Sequence, residues 1–596
     1  MENTQGVLGL IAGAARPRLT DRWHTTKFLE RMLLPPEIDR AWASAAARAG
    51  KGGFFDCFLA EMGVGYHCPE SDLARIPRTG PVVIVANHPF GMLEGPLLGA
   101  LLGGVRNDVK FLANSLLAGV PELRDIVIPV DPFGDAVKAN WKPLRQSLQW
   151  LKDGGMLVTF PAGEVSSLRW PRIEISDPAW KDSVAGLIRK SGAACVPLFI
   201  HGANGPGFQI AGLIHPRLRT ALLPLELANK KGRTIRIAVG RAIEPERIAA
   251  FPSGREAADY LSHRTHLLQA RQAEEKTPRW SLGIPAAPLA DAEDVAFLEA
   301  ERLRLPAEDR LAVSGDHEVW IATAAQIPAT LREIGRLREL AFRAAGEGTG
   351  RNRDLDRFDR HYRHLWVWNT TRREVIGAYR LTGTDALLSA NGLYTSTLFR
   401  YQPEWFERLG PALELGRSFV RPGAQKSYAA LLLLWKGIGA YVARNPHYRR
   451  LFGPVSMSRE YHPVSRSLCA SFLEAHCGDT EFAGLIHPRR PFRRPALTGC
   501  DTGWLASLMS GVDELSETVA DLQADAKGIP VLLRQYLNLG GRVLSFNVDP
   551  GFSHVLDALV LVDLTQTQPA LLEKYMGKEA AGRFRLHHSR IKTIKQ

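Results

Sequence analysis

The stretch Val82-Val-Ile-Val-Ala-Asn-His-Pro-Phe-Gly-Met-Leu-Glu-Gly95 decides the fold of the first half of the chain. Its first five residues are apolar and mostly β-branched, which predicts a buried strand. Asn87 and His88 follow that strand, and Glu94 opens an apolar helix after a turn. The side chains of His88 and Glu94 are expected in the crevice where α/β proteins bind their ligands. The stretch therefore predicts a base oriented by a carboxylate, a pair that can take a proton from an acceptor hydroxyl.

The composition is that of a globular protein with several domains. At 596 residues, with 45% hydrophobic and 23% charged residues, the chain should form about two to four domains. The net charge of +13 suits a polyanionic partner such as an anionic membrane surface, an acidic carrier protein or nucleic acid. Nucleic acid is not expected, because no recognisable nucleic-acid module is present and the arginines are scattered. An arginine-rich protein from a GC-rich genome would also explain much of the charge.

Cysteine spacing and hydropathy indicate a cytoplasmic protein. The six cysteines form no C-x-x-C pair, so we expect reduced thiols and no metal site. The first residues lack the basic region of a secretory signal, and no run of 18 apolar residues exists. Any contact with the inner membrane should be peripheral. The cluster of Phe54, Phe55, Phe58 and Leu59 fits an interfacial helix, although we favour a helix packed on its own domain.

Strands and helices alternate from residue 77 to about 245, and a second α/β pattern begins after a proline-bearing stretch. Strands separated by helices predict a parallel or mixed sheet covered on both faces. The fold class is therefore α/β, with two α/β domains. We predict domain boundaries at 1–272, 273–299 for the linker, and 300–596. In the first half the predicted strands are 82–86, 109–112, 126–130, 156–160, 195–200 and 234–239.

The opening stretch resembles the Asn-His-x4-Asp signature of the glycerolipid acyltransferases, a family that includes lysophosphatidate acyltransferase. The resemblance implies that His88 is the general base, that Glu94 orients it, that Asn87 lies at the substrate, and that an acyl thioester is the donor. The spacing here is one residue longer than in the signature, which a turn containing Gly91 can accommodate. Taken alone, the stretch also fits a histidine merely hydrogen-bonded in a turn, with a glutamate favoured by the helix dipole.

A second block resembles the Phe-Pro-Glu-Gly-Thr-Arg-Ser motif of the same family. Ala162 replaces the family's glutamate, and Val165 stands where its arginine would be, so the usual phosphate clamp is missing. The acceptor is therefore not expected to be a glycerol phosphate. Glu164 is either a substrate contact or a solvated loop carboxylate. The residues that this resemblance places at the substrate are Phe160, Pro161, Gly163, Glu164 and Ser166.

Two further blocks complete the family's order over 82–204. The stretch 196–204 resembles the last block, a Val-Pro strand of the acyl pocket, and it puts His201 and Asn204 at the carboxyl end of the strand. A lone histidine there is more often structural. The stretch 128–131 resembles the intermediate block, in which Asp131 would be a positioning residue.

The second half has its own signature, Glu414-Leu-Gly-Arg-Ser-Phe-Val-Arg-Pro-Gly423, followed by a long helix that we predict over 428–445. It resembles the N-acyltransferase of ornithine lipid synthesis, which has the acetyltransferase (GNAT) fold and is related to acyl-homoserine-lactone synthases. The resemblance implies an acid near the acceptor amine at Glu414 and substrate contacts at Arg417 and Ser418. A glutamate–arginine pair across a strand is the alternative. The usual phosphate loop of the fold has only a loose substitute at 421–424.

The two resemblances together imply a bifunctional ornithine lipid synthase. The C-terminal domain would place a 3-hydroxyacyl group on the α-amine of ornithine, and the N-terminal domain would esterify the hydroxyl of the resulting lyso-lipid. The donors would be acyl carrier protein thioesters or acyl-CoA, with no bound cofactor. The alternatives are another amino acid (glycine, lysine or glutamine), a lysophosphatidate-type acyltransferase, and a non-catalytic adaptor, against which the retention of both His88 and Glu94 argues.

Overall fold

The computed structural model describes residues 35–48, 53–130, 141–170, 173–271, 286–385, 392–425 and 428–594. These residues form two compact units. The first contains the described residues before 272, together with 496–508 and 520–526, and the second contains the remainder. The boundaries at 1–272, 273–299 and 300–596 stay a prediction. Asp131 and residues 273–285 of the expected linker lie outside the described residues.

The first unit is built on a seven-stranded sheet with the strand order β1-β9-β8-β2-β5-β3-β4. Strand β2 is central and pairs in parallel with β5 and β8, whereas β9 runs antiparallel to β8. All five residues of β2 are fully buried, as the apolar run predicts for a strand covered on both faces. Strands β6 and β7 form a separate hairpin. The strands of this unit are β1 Gly65–His67, β2 Val82–Ala86, β3 Val109–Asn114, β4 Val127–Val130, β5 Met156–Thr159, β6 Ser167–Arg169, β7 Glu174–Ser176, β8 Ala194–Ile200 and β9 Thr234–Val239.

Helices on both sides of this sheet complete its core. Phe58 and Leu59 are buried in that core, so this part of the aromatic cluster packs on its own unit, as we favoured. Within the described residues, no helix is long and apolar enough to cross a membrane. The helices are α1 Pro36–Arg48, α2 Phe54–Met62, α3 Glu70–Leu73, α4 Glu94–Gly103, α5 Trp141–Lys152, α6 Ser183–Ser191, α7 Pro206–Ile214, α8 Pro216–Ala221, α9 Leu223–Ala228, α10 Pro245–Ala249 and α11 Gly254–Leu267.

A segment from far along the chain belongs to this first unit. The carboxylate of Asp521 is 2.8 Å from Arg75 and accepts a hydrogen bond from the backbone N–H of Arg241. Arg271 pairs with Asp72 at 2.5 Å and also donates to the backbone carbonyl of Asp521. These buried ion pairs tie residues 520–526 to the first unit, and nothing in the local sequence predicts them.

The second unit contains an eight-stranded sheet with the order β10-β11-β12-β13-β15-β16-β19-β18. Among its described strands only β15 and β16 are parallel neighbours. The predicted α/β class of the second half is confirmed. The strands are β10 Arg310–Ser314, β11 His317–Thr323, β12 Arg363–Asn369, β13 Glu374–Gly383, β14 Phe399–Tyr401, β15 Ala412–Val420, β16 Arg450–Met457, β17 Ile486–Pro488, β18 Arg542–Asp549 and β19 Val555–Asp563.

Helices of the remaining chain follow the predicted pattern closely where the sequence is strongly apolar. The long helix after β15 begins at Tyr428 and ends at Arg444, within one residue of the prediction. These helices are α12 Val295–Arg304, α13 Pro328–Ala344, α14 Pro403–Leu409, α15 Tyr428–Arg444, α16 Pro463–Cys477, α17 Thr502–Ser507, α18 Val512–Leu522, α19 Val531–Asn538, α20 Pro569–Met576 and α21 Lys578–Ile594.

Candidate active sites

His88 and Glu94 form a hydrogen-bonded pair at the carboxyl end of β2. The Nδ1 atom of His88 lies 3.1 Å from Oε1 of Glu94, and the same oxygen accepts hydrogen bonds from the backbone N–H groups of Phe90 (2.5 Å) and Gly91 (2.9 Å). Gly91 has φ +92°, and a Cβ there would lie 2.7 Å from side-chain carbons of Leu223 and Val165. The extra residue in the turn is thus accommodated, and the longer spacing still brings the base and the acid together.

The electrostatics of this pair suit proton transfer. Burial alone would lower the pKa of His88, but the carboxylate of Glu94 outweighs it and the net shift is upward. Burial opposes ionisation of Glu94, yet His88 and the two N–H groups hold the pKa of Glu94 below its usual value. In the described part of the chain, Nε2 of His88 has no hydrogen-bond partner. His88 can therefore accept a proton at Nε2 while Glu94 stabilises the imidazolium.

Two predicted neighbours lie directly against His88. The ring of Phe160 stacks on the imidazole with 4.7 Å between centroids. The backbone N–H of Ser166 donates to the carbonyl of His88 at 2.8 Å, and the hydroxyl of Ser166 donates to Asp177. Asp177 also accepts a 3.4 Å hydrogen bond from the backbone N–H of His88. The sequence analysis missed Asp177, which follows a three-residue strand and carries no motif.

Three other predicted residues hold the loops around His88. The amide side chain of Asn87 donates to the carbonyl of Ile200 at 3.0 Å and accepts from the same residue's N–H at 2.7 Å. Asn204 donates to the carbonyl of Phe90 at 3.0 Å. Nδ1 of His201 lies 3.2 Å from Arg236, and burial lowers the pKa of His201 to about 4. Their substrate contacts stay a prediction, whereas these supporting contacts are present.

The remaining residues of the Phe160 block lie on the loop after β5. Pro161 is buried, and its carbonyl accepts a hydrogen bond from the N–H of Lys181 at 2.9 Å. Gly163 has φ +70°, and a Cβ there would lie 3.0 Å from the amine of Lys181. Glu164 is exposed and forms a 3.0 Å ion pair with Arg219. These contacts fit the solvated-loop alternative for Glu164 at least as well as a substrate contact.

In the second unit, β15 and β16 pair only at their beginnings, and we call the region between the two strands beyond the last pair the cleft. The parallel pairing ends at Glu414 and Phe452, after which β15 remains bonded to β13 and β16 to β19. Arg417 has φ +50° on the part of β15 beyond the last pair, followed by the half-buried Ser418.

Glu414 lies at the closed end of this cleft and is buried. The hydroxyl of Tyr362 and the N–H of Tyr394 donate to one carboxylate oxygen, and the N–H of Thr395 donates to the other at 2.7 Å. Burial raises the pKa of Glu414, with these hydrogen bonds opposing the shift. Both oxygens have protein partners, so the contact of Glu414 with an acceptor amine stays a prediction.

The Arg417 side chain is held mainly by ring contacts. Its guanidinium lies 4.4 Å from the ring centroid of Phe552 and 5.1 Å from that of Tyr394. Nε is 3.6 Å from a carboxylate oxygen of Asp354. Among the described residues the guanidinium has no hydrogen-bond acceptor, which leaves its donors available to a ligand.

The sequence analysis missed two carboxylates near Arg417. Ser456 on β16 donates to Glu347 at 3.0 Å, and Ser456 is the cross-strand neighbour of Asp557 on β19. Burial raises the pKa of Glu347 to about 7 and that of Asp557 well above its usual range, and Arg417 opposes both shifts. Asp557 is a lone acid inside an apolar run, which is the one signal that could have identified it.

Comparisons with known proteins identify both halves. Residues 37–273 match the family model described as Acyltransferase, and residues 337–436 match the model described as Acetyltransferase (GNAT) domain. Two relatives are named Glycine N(alpha)-acyltransferase. The one from Bacteroides thetaiotaomicron is 39% identical over 30% of this chain and 58% of its own length. The one from Phocaeicola vulgatus is 32% identical over 42% of this chain and 81% of its own length.

Two more relatives are named for a different reaction or a different amino acid. The Lyso-glycine lipid O-acyltransferase of Phocaeicola vulgatus is 28% identical over 29% of this chain and 62% of its own length. The L-ornithine N(alpha)-acyltransferase of Agrobacterium fabrum is 24% identical over 40% of this chain and 77% of its own length. Similarity therefore extends to relatives of both the N-acylating and the O-acylating kind.

Proposed function

We propose that this chain synthesises a diacylated amino-acid lipid in two steps. The chain belongs to the acyltransferase family that contains the Phocaeicola vulgatus glycine N(alpha)-acyltransferase. The presence of an acyltransferase domain and a GNAT domain in one chain supports this proposal. So does the kinship to relatives named for N-acylation of an amino acid and for O-acylation of a lyso-lipid. The first unit would catalyse the O-acylation and the second the N-acylation.

The observation that carries the proposal is the hydrogen-bonded pair of His88 and Glu94. In the O-acylation, Nε2 of His88 takes the proton of the lipid hydroxyl as its oxygen attacks the thioester carbonyl carbon. The C–O bond forms, the C–S bond breaks, and the proton passes from His88 to the departing thiolate. Glu94 stabilises the transient imidazolium. The valine at 165 leaves no phosphate clamp there, which suits an acceptor without phosphate.

The N-acylation supplies the substrate of the O-acylation. A 3-hydroxyacyl group transferred to an amino acid carries the hydroxyl that the second acyl chain needs. The donors are proposed to be thioesters of acyl carrier protein or of coenzyme A. The net charge of +13 suits an acidic carrier protein.

Ornithine is the proposed acceptor, with glycine as the second candidate. The Agrobacterium fabrum relative supports ornithine, and the two glycine N(alpha)-acyltransferases, which are more similar, support glycine. The test is lipid mass spectrometry of a host that makes no amino-acid lipid, grown with isotopically labelled ornithine or glycine. The label that enters a new lipid identifies the amino acid, and the absence of any new acylated amino acid would refute the synthase proposal.

We further propose that the first unit touches the inner membrane peripherally through an apolar surface beside the His88 site. Seven exposed apolar residues lie on the β6–β7 hairpin and on α7 and α8, with Trp170 82% and Ile214 72% exposed. Gln209 on α7 accepts a hydrogen bond from the N–H of Leu168 at 2.9 Å, which joins the two elements. The residues of this apolar surface are Trp170, Ile173, Ile175, Ile210, Leu213, Ile214 and Leu218.

Such a surface suits the interface of a bilayer that holds the lyso-lipid. The double substitution Ile210→Glu and Ile214→Glu should abolish co-sedimentation with vesicles containing anionic lipid. Leu586→Glu, at a leucine 59% exposed in the other unit, is the matched control and should bind as the wild type does. Equal binding of all three proteins would refute the membrane surface.

A further inference from the structure

Two carboxylates and one guanidinium are placed around the cleft between β15 and β16. Ser456 and Asp557 are direct cross-strand neighbours, so both side chains project from the same face of the sheet. The hydroxyl of Ser456 reaches Glu347 at 3.0 Å. Glu347 follows α13, whereas Asp557 lies on β19, and the fold therefore brings two acids from distant parts of the chain to one place.

Asp557 is buried and Glu347 is half-buried, and one oxygen of Asp557 lacks a partner within the described residues. Asp557 is 4% exposed, and its Oδ2 has no hydrogen-bond partner there. Burying a carboxylate without a partner is costly, so such groups usually face a ligand or a cation. Arg417 reaches the region of these acids: its guanidinium lies 4.4 Å from the ring centroid of Phe552, and the next residue, Ser553, donates to the carbonyl of Gly348, beside Glu347, at 2.9 Å. The charge of Arg417 opposes the upward pKa shifts that burial causes in Glu347 and Asp557.

Arg417 is itself suited to a carboxylate ligand. Its side chain is nine-tenths buried, and its strained backbone (φ +50°) aims it between Tyr394 and Phe552. Among the described residues, the ion pair that Arg417 makes within 4 Å is with Asp354, at 3.6 Å. A guanidinium fixed between two rings, with donors still available, can bind a carboxylate with two parallel hydrogen bonds.

We propose that Glu347, Asp557 and Arg417 form the binding site of the amino-acid acceptor. The two carboxylates would hold its ammonium groups, and Arg417 would hold its carboxylate. This inference rests on the proposed function and adds the residues that bind the acceptor. Two acids opposite one guanidinium suit a diamino acid, with an α-ammonium and a second ammonium on its side chain, better than glycine.

The site also supplies the base for the transfer. Glu347 takes one proton from the α-ammonium, and the resulting amine attacks the carbonyl carbon of the acyl thioester. The N–C bond forms, the C–S bond breaks, and a second proton leaves the nitrogen for the departing thiolate, which becomes a thiol. The products are the acylated amino acid, the free thiol carrier and the proton held by Glu347.

The test uses the purified full chain in two series: ornithine or glycine is varied at a saturating 3-hydroxyacyl thioester, and the thioester is varied at saturating ornithine. Glu347→Gln should lower kcat for ornithine about 100-fold and leave KM for the thioester unchanged. Asp557→Asn should raise KM for ornithine about tenfold, as expected for a lost charge-assisted hydrogen bond, and KM for glycine less than about threefold. Asp513→Asn, at an exposed carboxylate of the same unit, is the matched control and should behave as the wild type.

A denaturant-unfolding transition at the wild-type midpoint shows that the second unit of each variant is folded, and O-acylation of a supplied lyso-lipid at the wild-type rate shows the same for the first unit. If the wild type acylates an amino acid and both variants keep its kcat and KM, the acceptor site is overturned and the proposed function still stands. Equal losses with ornithine and glycine in Asp557→Asn would overturn the diamino-acid class. A wild-type chain that acylates no amino acid would overturn the proposed function and this inference with it.

Discussion

Replacing Glu94 by glutamine separates the electrostatic role of this carboxylate from its structural one. The glutamine side-chain oxygen can still accept the hydrogen bonds of the Phe90 and Gly91 N–H groups, which now end on Glu94 Oε1. It cannot neutralise an imidazolium at His88, 3.1 Å away. The variant should therefore fold and still lose the stabilisation of the protonated base.

The size of the loss follows from that geometry. A charge-assisted hydrogen bond is worth about 1.5–3 kcal/mol more than none, and general base catalysis contributes about 10²–10⁴-fold. We expect kcat for O-acylation to fall about 10- to 150-fold, with KM for the lyso-lipid changed less than about threefold. Glu94→Ala should also lose about 2 kcal/mol of stability, because two buried N–H groups lose their acceptor.

The pH dependence gives an independent readout. Glu94 holds the pKa of His88 above its ordinary value, and the base is active only when neutral, so wild-type activity falls as the pH drops through that raised pKa. In Glu94→Gln, the upward effect of Glu94 on the pKa of His88 is lost and Asp177 is left to oppose burial, so the acidic limb should move to lower pH. The assay follows a supplied lyso-lipid with a labelled acyl thioester, which bypasses the N-acylation. A variant with wild-type kcat, or with an unmoved acidic limb, would refute the base–acid reasoning.

Three further predictions concern stability, measured by denaturant unfolding of the full chain. Asn87→Ala should lower the free energy of unfolding by about 2–3 kcal/mol, because the backbone N–H and C=O of Ile200 lose their buried partner. Asn87→Asp keeps the acceptor and loses the donor, so full stability in that variant would contradict this reasoning. Gly91→Ala should cost at least about 2 kcal/mol through its positive φ and the close carbons around its Cβ, so unchanged stability would show that the turn relaxes. Asp521→Asn should destabilise the first unit by about 3 kcal/mol by leaving Arg75 buried without its carboxylate, and an unaltered transition would mean that 520–526 is dispensable.

The sequence predicts those parts of the fold that local patterns determine. The run 82–86 is a central strand because an apolar β-branched segment can be buried on both faces. The helix starting at Glu94 and the long helix from Tyr428 were also predicted within one residue. The His88–Glu94 pair could be predicted because both residues belong to one turn, so short-range geometry alone brings them together.

Contacts between distant segments could not be predicted in this way. Asp177 reaches His88 from a hairpin with no motif, and Asp521 joins the first unit from far beyond the expected boundary. Glu347 and Asp557 meet only because β19 pairs with β16. A single sequence does not specify such pairings, since the hydrogen bonds of a strand do not depend on which neighbour provides them.

The central claim is that the two units carry out successive acylations, and His88→Ala tests it most directly. The lipids of a host that makes no amino-acid lipid should be compared by mass spectrometry after expression of the wild type and of His88→Ala. We predict a diacylated amino-acid lipid with the wild type and only the mono-acylated lyso form with the variant. Diacylated lipid from His88→Ala at the wild-type level would contradict the assignment of the O-acylation to this histidine.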